Sequence, residues 1–219
     1  SNLSFIFPGQ GAQKAGMGKD FYENSETARS FFDQAQKILD FDLKEMCFGE
    51  HEELNLTEYT QPCMVSVCLA IVQELKKRGI NPDITAGLSL GEYAAVAAAG
   101  GMNELDAIKL VRRRGILMQS TVPAGEGAMA AVLGLDAKKI EEILESFENV
   151  WIANYNCPGQ IVITGLTNEV QQASLALKEA GAKRVVELKV SGPFHSLLLW
   201  NQCHFHRFRC LILQMRLPK

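Results

Sequence analysis

The chain has little of what marks a protein as exported, membrane-bound or nucleic-acid-binding. No apolar run approaches the roughly 18 uncharged residues of a membrane span, and the start lacks the charged region and apolar stretch of a signal peptide. Lys and Arg number 22 against 25 Asp and Glu, a net charge of -3, so there is no polybasic footprint for nucleic acid or an anionic membrane. Cys47, Cys63, Cys68, Cys157, Cys203 and Cys210 contain no C-x-x-C and no even spacing, which in a chain this long reads as reduced thiols rather than a disulfide framework. These absences together point to the cytoplasm. Histidine is scarce too: His51, His195, His204 and His206 are the only four, which narrows the search for a general base.

What is present is core material. Of the 219 residues 47% are hydrophobic and 21% charged, which excludes disordered and fibrous classes. Leu3 to Phe7 is a short apolar run ended by Pro8-Gly9, the pattern of a buried strand entering a loop. Helical stretches follow over Glu26 to Leu39 and Asp42 to Phe48. Thr60-Gln61-Pro62 then opens a longer helix, with Pro62 suited to its first turn, which stops at Arg78-Gly79 with a Gly cap. Ile84 to Leu88 reads as a second strand, Gly91 to Ala99 as an Ala-rich helix, and Asn103 as the cap of a helix running to about Gln119. Strands alternating with helices predict an α/β layer fold with a parallel sheet.

Residues 127 to 190 change rhythm, reading strand, helix, strand, strand, helix, strand. This β-α-β-β-α-β order matches the ferredoxin-like split unit, set as an inserted module between two α/β stretches. The expected division is 1–124 with 191–219 for the larger subdomain and 125–190 for the smaller. Asn201 to Lys219 fits neither module: it holds Arg207, Arg209, Arg216 and Lys219 and no acidic residue. Cys203, His204, His206 and Cys210 lie there with soft-ligand chemistry, but their spacing fits no common structural zinc pattern.

Gly87-Leu88-Ser89-Leu90-Gly91 follows a strand and precedes a helix, the setting in which G-x-S-x-G forms a sharp turn that exposes a Ser nucleophile at a helix N-terminus. An ordinary Gly-rich turn with an incidental Ser is the alternative. A Ser nucleophile needs a base. His51 sits in a charged stretch and reads as a solvated loop residue. His195, in the small-residue loop Ser191-Gly192-Pro193-Phe194-His195-Ser196 where the chain re-enters the first module, is the best candidate, against the alternative of a surface loop His. Gly9-Gln10-Gly11 follows the first strand and can aim a backbone N–H into the same site. Nucleotide motifs do not survive there: Lys14 stands where a dinucleotide fingerprint needs Gly, and Lys19 precedes Asp20 where a P-loop needs Ser or Thr.

Arg114 is the most informative charge. At 100° per residue from Leu105 it falls in the middle of an arc holding Ala107, Leu110, Val111, Leu117 and Met118, with Lys109, Arg112 and Arg113 outside. A guanidinium on an apolar face needs a partner, either a carboxylate of the fold or a substrate carboxylate held bidentately.

FIFPGQGAQ, TQP, GLSLGEYAA, RRRGILMQ, VPAGEGAMAAVLGL, NYNCPGQIVITG and SGPFHS, in order over residues 3 to 199, together resemble the malonyl-CoA:acyl carrier protein transacylase family. The resemblance implies an α/β-hydrolase-like large subdomain with an inserted ferredoxin-like one. It implies Ser89 as nucleophile, His195 as base, the backbone N–H groups of Gln10 and Leu90 as oxyanion hole, Arg114 clamping the malonyl carboxylate and Gln61 supporting Arg114. The implied reaction is ping-pong: Ser89 takes malonyl from malonyl-CoA and the phosphopantetheine thiol of acyl carrier protein takes it from Ser89, in fatty acid biosynthesis, with no metal or redox cofactor and as a monomer. Two departures stand out. Leu88 occupies a position that is often His in the family, and Asn201 to Lys219 does not resemble the further helices and strands with which family members complete the large subdomain. The rival readings are a serine hydrolase or thioesterase using the same Ser and His, and a catalytically impaired fragment. Arg114 separates the hydrolase from the transferase, since a neutral acyl group has no use for it.

Overall fold

Two short apolar strands, each running into a glycine-bearing turn, set the frame. In the computed structural model, which describes residues 2–121, 125–188 and 192–196, β1 (Ser4–Phe7) pairs in parallel with β2 (Ile84–Gly87), Ser4 opposite Ile84 and Phe7 opposite Gly87. Between and after them come α1 (Lys19–Asn24), α2 (Glu26–Ile38), α3 (Leu43–Phe48), α4 (Thr57–Lys77), α5 (Gly91–Ala98) and α6 (Glu104–Thr121). Local chemistry explains three of the six starts. Ser25 accepts from the Ala28 N–H, Asp42 from that of Glu45, and Asn103 from those of Leu105 and Asp106. The helices bury Phe32, Leu43, Val65, Leu69, Ile108 and Val111 in one core. Among the described residues no helix is long and apolar enough to cross a membrane.

The second unit is β3 (Gly127–Leu133), α7 (Ala137–Leu144), β4 (Val150–Cys157), β5 (Gln160–Leu166), α8 (Thr167–Glu179) and β6 (Arg184–Glu187). Its strands form an antiparallel sheet in the order β4-β5-β3-β6. One face packs on α7 and α8 through Val132, Ile163, Ile140, Val170 and Leu177. The other puts Met129, Ala131 and Val162 against Phe194 and Met118, so the sheet is buried on both sides where it meets the first unit. The molecule is thus a mixed α/β fold with a parallel and an antiparallel sheet. The four described cysteines, Cys47, Cys63, Cys68 and Cys157, are free, and burial pushes the Cys68 thiol up to about 11. The expected strand end at 189–190 and the segment 201–219, with Cys203, His204, His206 and Cys210, lie outside the described residues.

Three expectations need correction. The six-residue α1, not expected, is held by Tyr22, whose ring packs on Phe32 and Phe48. Helix α4 starts at Thr57 rather than Thr60, because the side chain of Gln119 on α6 accepts from the Thr57 N–H at 3.2 Å and caps the start from a distance of 62 residues. Pro62 therefore lies inside the helix, where its missing N–H leaves the Glu58 carbonyl without an intrahelical donor. Arg112 of α6 supplies one: Nη1 donates to that carbonyl at 2.7 Å, while the same guanidinium pairs with Asp40 and Glu58 and lies over the Phe41 and Tyr59 rings. The third correction concerns the buried seam of α6, which runs through Ala107, Ile108, Val111 and Gly115, while Leu110 is exposed. The seam is rotated by roughly 70–80° from the arc expected, so Arg112 and Arg114 flank it on opposite sides rather than Arg114 occupying its middle.

Arg112→Ala should cost about 1–3 kcal/mol by leaving a part-buried carbonyl unpaired, read as a lower melting temperature. Because Pro62→Ala restores an N–H to the same carbonyl, the loss should be smaller in the Pro62→Ala background. Equal losses in the two backgrounds would show that the carbonyl is not what Arg112 satisfies.

Candidate active site

The turn after β2 is built by close approach. The Leu88 N–H donates to the Phe7 carbonyl at 3.1 Å and the Gly91 N–H to the Leu88 carbonyl at 2.9 Å. A Cβ on Gly87 would lie 2.1 Å from the Gly91 backbone, and one on Gly91 2.5 Å from the Phe7 carbonyl oxygen. Neither position has room for a side chain. The residue between them, Ser89, takes the strain: its φ is 53°, in the left-handed region that a residue with a Cβ seldom enters. The only other described non-glycine with positive φ is His195, at 58°.

These two strained residues meet. His195 Nε2 lies 3.0 Å from Ser89 Oγ, across 106 residues of chain. The histidine loop is pinned by Phe194, buried in the seam between the two units, by Ser196 Oγ donating to the Pro193 carbonyl at 2.6 Å, and by Pro193 seated where a side chain on Gly127 would be. By surface area His195 is exposed, yet desolvation of the part of its ring packed into the site, and then the nearby charge of Arg114, hold its pKa below the ordinary 6.5.

Arg114 comes from α6, which approaches the start of α4 because Gly115 has no side chain: a Cβ there would be 2.7 Å from the Thr57 carbonyl oxygen. The guanidinium donates from Nη2 to Ser89 Oγ at 3.1 Å and from Nη1 to Gln61 Oε1 at 2.7 Å, and lies 5.7 Å from the centre of the Tyr93 ring. Gln61 is 1% exposed, with its Nε2 donating to Thr57 Oγ1 at 2.9 Å. The Thr57 hydroxyl in turn donates to Gln10 Oε1 at 2.7 Å. Gly9 lies close to the Leu88 carbonyl, which brings the loop after β1 beside the Ser89 turn. Neither the Gln10 nor the Leu90 backbone N–H donates a hydrogen bond among the described residues. One network therefore gathers Ser89, His195, Arg114 and Gln61, with Gln10 joined through Thr57.

His51 stands apart, bonded to Glu45 at 2.9 Å. Among the described residues no group of three or more His, Cys, Asp or Glu is placed to hold a metal ion. Sequence reasoning missed Thr57 and Tyr93. Tyr93 lies in the first turn of α5 just after the Ser89 turn; Thr57 stands four residues before Gln61 on the same helix, the one local signal for it, while its other partners lie 47 and 62 residues away. The arrangement provides a hydroxyl with a proton acceptor and an adjacent cation able to take a carboxylate.

Comparison with known proteins agrees with this chemistry. Residues 4–200 match the acyl transferase domain family. The malonyl CoA-acyl carrier protein transacylase of Bacillus subtilis (strain 168) is 48% identical over 204 residues, covering 91% of this chain and 64% of that protein. The crystal structure of malonyl CoA-acyl carrier protein transacylase from Clostridium perfringens superposes with a TM-score of 0.85 at 43% identity, over 91% of this chain and 64% of that one. A malonyl-transacylase solved with its type II PKS acyl-carrier protein does so with a TM-score of 0.84 at 40% identity, over 88% and 64%. The chain spans less than two thirds of the length of such relatives, 64% of the Bacillus subtilis protein and 66% of the malonyl CoA-acyl carrier protein transacylase of Staphylococcus aureus (strain MSSA476), to which it is 46% identical. With a family match running through both units and a strained serine at their meeting point, the chain belongs to the acyl transferase domain family.

Proposed function

We propose that this chain carries the chemistry of malonyl transfer from malonyl-CoA to the phosphopantetheine thiol of acyl carrier protein through a malonyl-Ser89 intermediate, in fatty acid biosynthesis. The observation that carries the reading is that Ser89 Oγ is shared between His195 Nε2 at 3.0 Å and the Arg114 guanidinium at 3.1 Å. A nucleophile needs the first contact, and an acyl group with its own carboxylate would give the second a use. That is the reason to prefer the transferase over a serine hydrolase for neutral acyl groups. Further support comes from the relatives named malonyl CoA-acyl carrier protein transacylase and from the neighbour solved with an acyl-carrier protein.

In this reading Ser89 Oγ attacks the thioester carbonyl while His195 Nε2 takes its proton. The negative charge on the carbonyl oxygen is met by the N–H groups of Gln10 and Leu90, aided by the N-terminus of α5. Collapse breaks the C–S bond, and the imidazolium returns its proton to the departing CoA sulfur. The carrier thiol then repeats the sequence in reverse: it loses its proton to His195, attacks the malonyl ester, and Ser89 Oγ leaves with that proton. Arg114, oriented by Gln61, holds the malonyl carboxylate beside Ser89 through both halves. Every step moves a proton or an acyl group, so the reaction asks for no metal or redox cofactor. The same reading takes residues 1–124 and 191–219 as an α/β-hydrolase-like subdomain, 125–190 as a ferredoxin-like insert whose strand order β4-β5-β3-β6 suits that description, and the working protein as a cytoplasmic monomer.

Incubation with malonyl-CoA, quenching and peptide mapping should put the malonyl mass on Ser89 and nowhere else, and Ser89→Ala should abolish it; label elsewhere sinks the assignment. Arg114→Ala should lower malonyl transfer by about 2–5 kcal/mol in kcat/KM and acetyl transfer much less, whereas equal losses would make Arg114 structural.

The pH dependence has a definite sign. A histidine whose pKa lies below 6.5 in the folded chain is neutral at neutral pH, so acylation should hold its rate as pH falls through 6.5 and decline only at lower pH. Protonation favours the unfolded chain, so the contribution of His195 to stability is present above 6.5 and is lost as pH falls through the folded-state value. Arg114→Gln removes the like charge and should raise the His195 pKa, measurable from its imidazole proton resonances.

A further inference from the structure

The hydroxyl of Thr57 is the joint of the polar network, and nothing in the acyl-transfer steps above uses it. Thr57 is fully buried, the first residue of α4. Its backbone is held independently of its side chain, since the N–H goes to Gln119. Its hydroxyl is left to do two things at once: it accepts from Gln61 Nε2 at 2.9 Å and donates to Gln10 Oε1 at 2.7 Å.

Both bonds have directional consequences. A Gln side chain has one donor end and one acceptor end. Because Thr57 takes the donor end of Gln61, the acceptor end is turned to Arg114 Nη1; with the amide reversed, an NH2 group would face a guanidinium and Arg114 would lose its support. On the other side, the bond to Thr57 is the only hydrogen bond of the Gln10 side chain among the described residues, its buried Nε2 having none. Gln10 follows Pro8-Gly9 in a loop, so this bond is the anchor that sets where the Gln10 backbone N–H points.

We propose that Thr57 is a positioning residue that couples the Gln10 loop to the Arg114 clamp, one hydroxyl setting the orientation of both the group that meets the carbonyl oxygen and the group that meets the acyl carboxylate. The inference rests on the reading of Ser89 as the acylated residue. It has a specific consequence: loss of the hydroxyl harms the charged acyl substrate twice and a neutral one once.

The test compares the unaltered chain with Thr57→Val, which keeps the shape and removes the hydroxyl, and Thr57→Ser, which keeps the hydroxyl and removes the methyl. Acyl-Ser89 formation is followed by quenched intact mass with malonyl-CoA and with acetyl-CoA, and the His195 pKa by proton NMR. In Thr57→Val, malonylation should slow by about 10- to 100-fold, the range that a misplaced reacting group costs, acetylation should slow less, and the His195 pKa should rise toward 6.5 as the Arg114 charge is no longer held at Ser89. Thr57→Ser should stay within about threefold of the unaltered chain and leave the pKa in place. Equal rates in Thr57→Val and the unaltered chain would overturn the proposal, as would an equal loss in both variants, which assigns the effect to packing of the methyl. If the unaltered chain takes no acyl group on Ser89, the reading of the reaction fails by itself, and the NMR comparison then decides the role of Thr57: an unmoved His195 pKa in Thr57→Val overturns it, and a shift restored by Ser supports it.

Discussion

The backbone of α5 lies against the ends of β1 and β2 at distances that admit no side chain, and the rest of the site depends on that contact. Gly87 and Gly91 let the helix start directly above the strand ends. The chain must then reverse within the few residues between them, which forces Ser89 into a conformation with φ of 53°. That strain, worth about 1–3 kcal/mol at a single residue, is held by hydrogen bonds from Leu88 to Phe7 and from Gly91 to Leu88. The outcome is a hydroxyl fixed at the carboxyl end of a parallel pair of strands, above a helix N-terminus, where negative charge is favoured.

The two arginines of α6 show how one seam serves two ends. Arg112 and Arg114 are two residues apart and therefore point to opposite sides of the buried stripe of Ala107, Ile108, Val111 and Gly115. On one side Arg112 meets carboxylates, two aromatic rings and the carbonyl orphaned by Pro62, all belonging to the fold. On the other, Arg114 meets a neutral amide, a hydroxyl and an aromatic ring beside Ser89. A guanidinium oriented by neutral groups keeps its capacity for a carboxylate that arrives with a substrate.

That cation also tunes its neighbour. Desolvation of the His195 ring, and after it the positive charge of Arg114, oppose a positive charge on the ring and hold its pKa below the ordinary value. Arg114 and His195 are thus linked both electrostatically and through their shared contact with Ser89 Oγ.

The sequence by itself determined the alternation of strands and helices, the β-α-β-β-α-β order read over residues 127 to 190 and seen in its described part, the turn at Ser89, and the short list that holds His195 and Arg114. These follow from features carried within a few residues: apolar periodicity, small residues at a turn, and the scarcity of histidine. Tertiary structure alone decided that α4 begins at Thr57, that the α6 seam turns toward Ile108 and Gly115, and that Thr57 ties Gln10 to Gln61. Each of these depends on a partner tens of residues away, Gln119 for the start of α4, the Thr57 carbonyl for Gly115, Gln10 for Thr57. Local periodicity can rank residues as inward or outward, but it holds no information about which distant donor meets which acceptor, and it is that pairing, made only when the helices pack, that turns a list of candidate residues into a site.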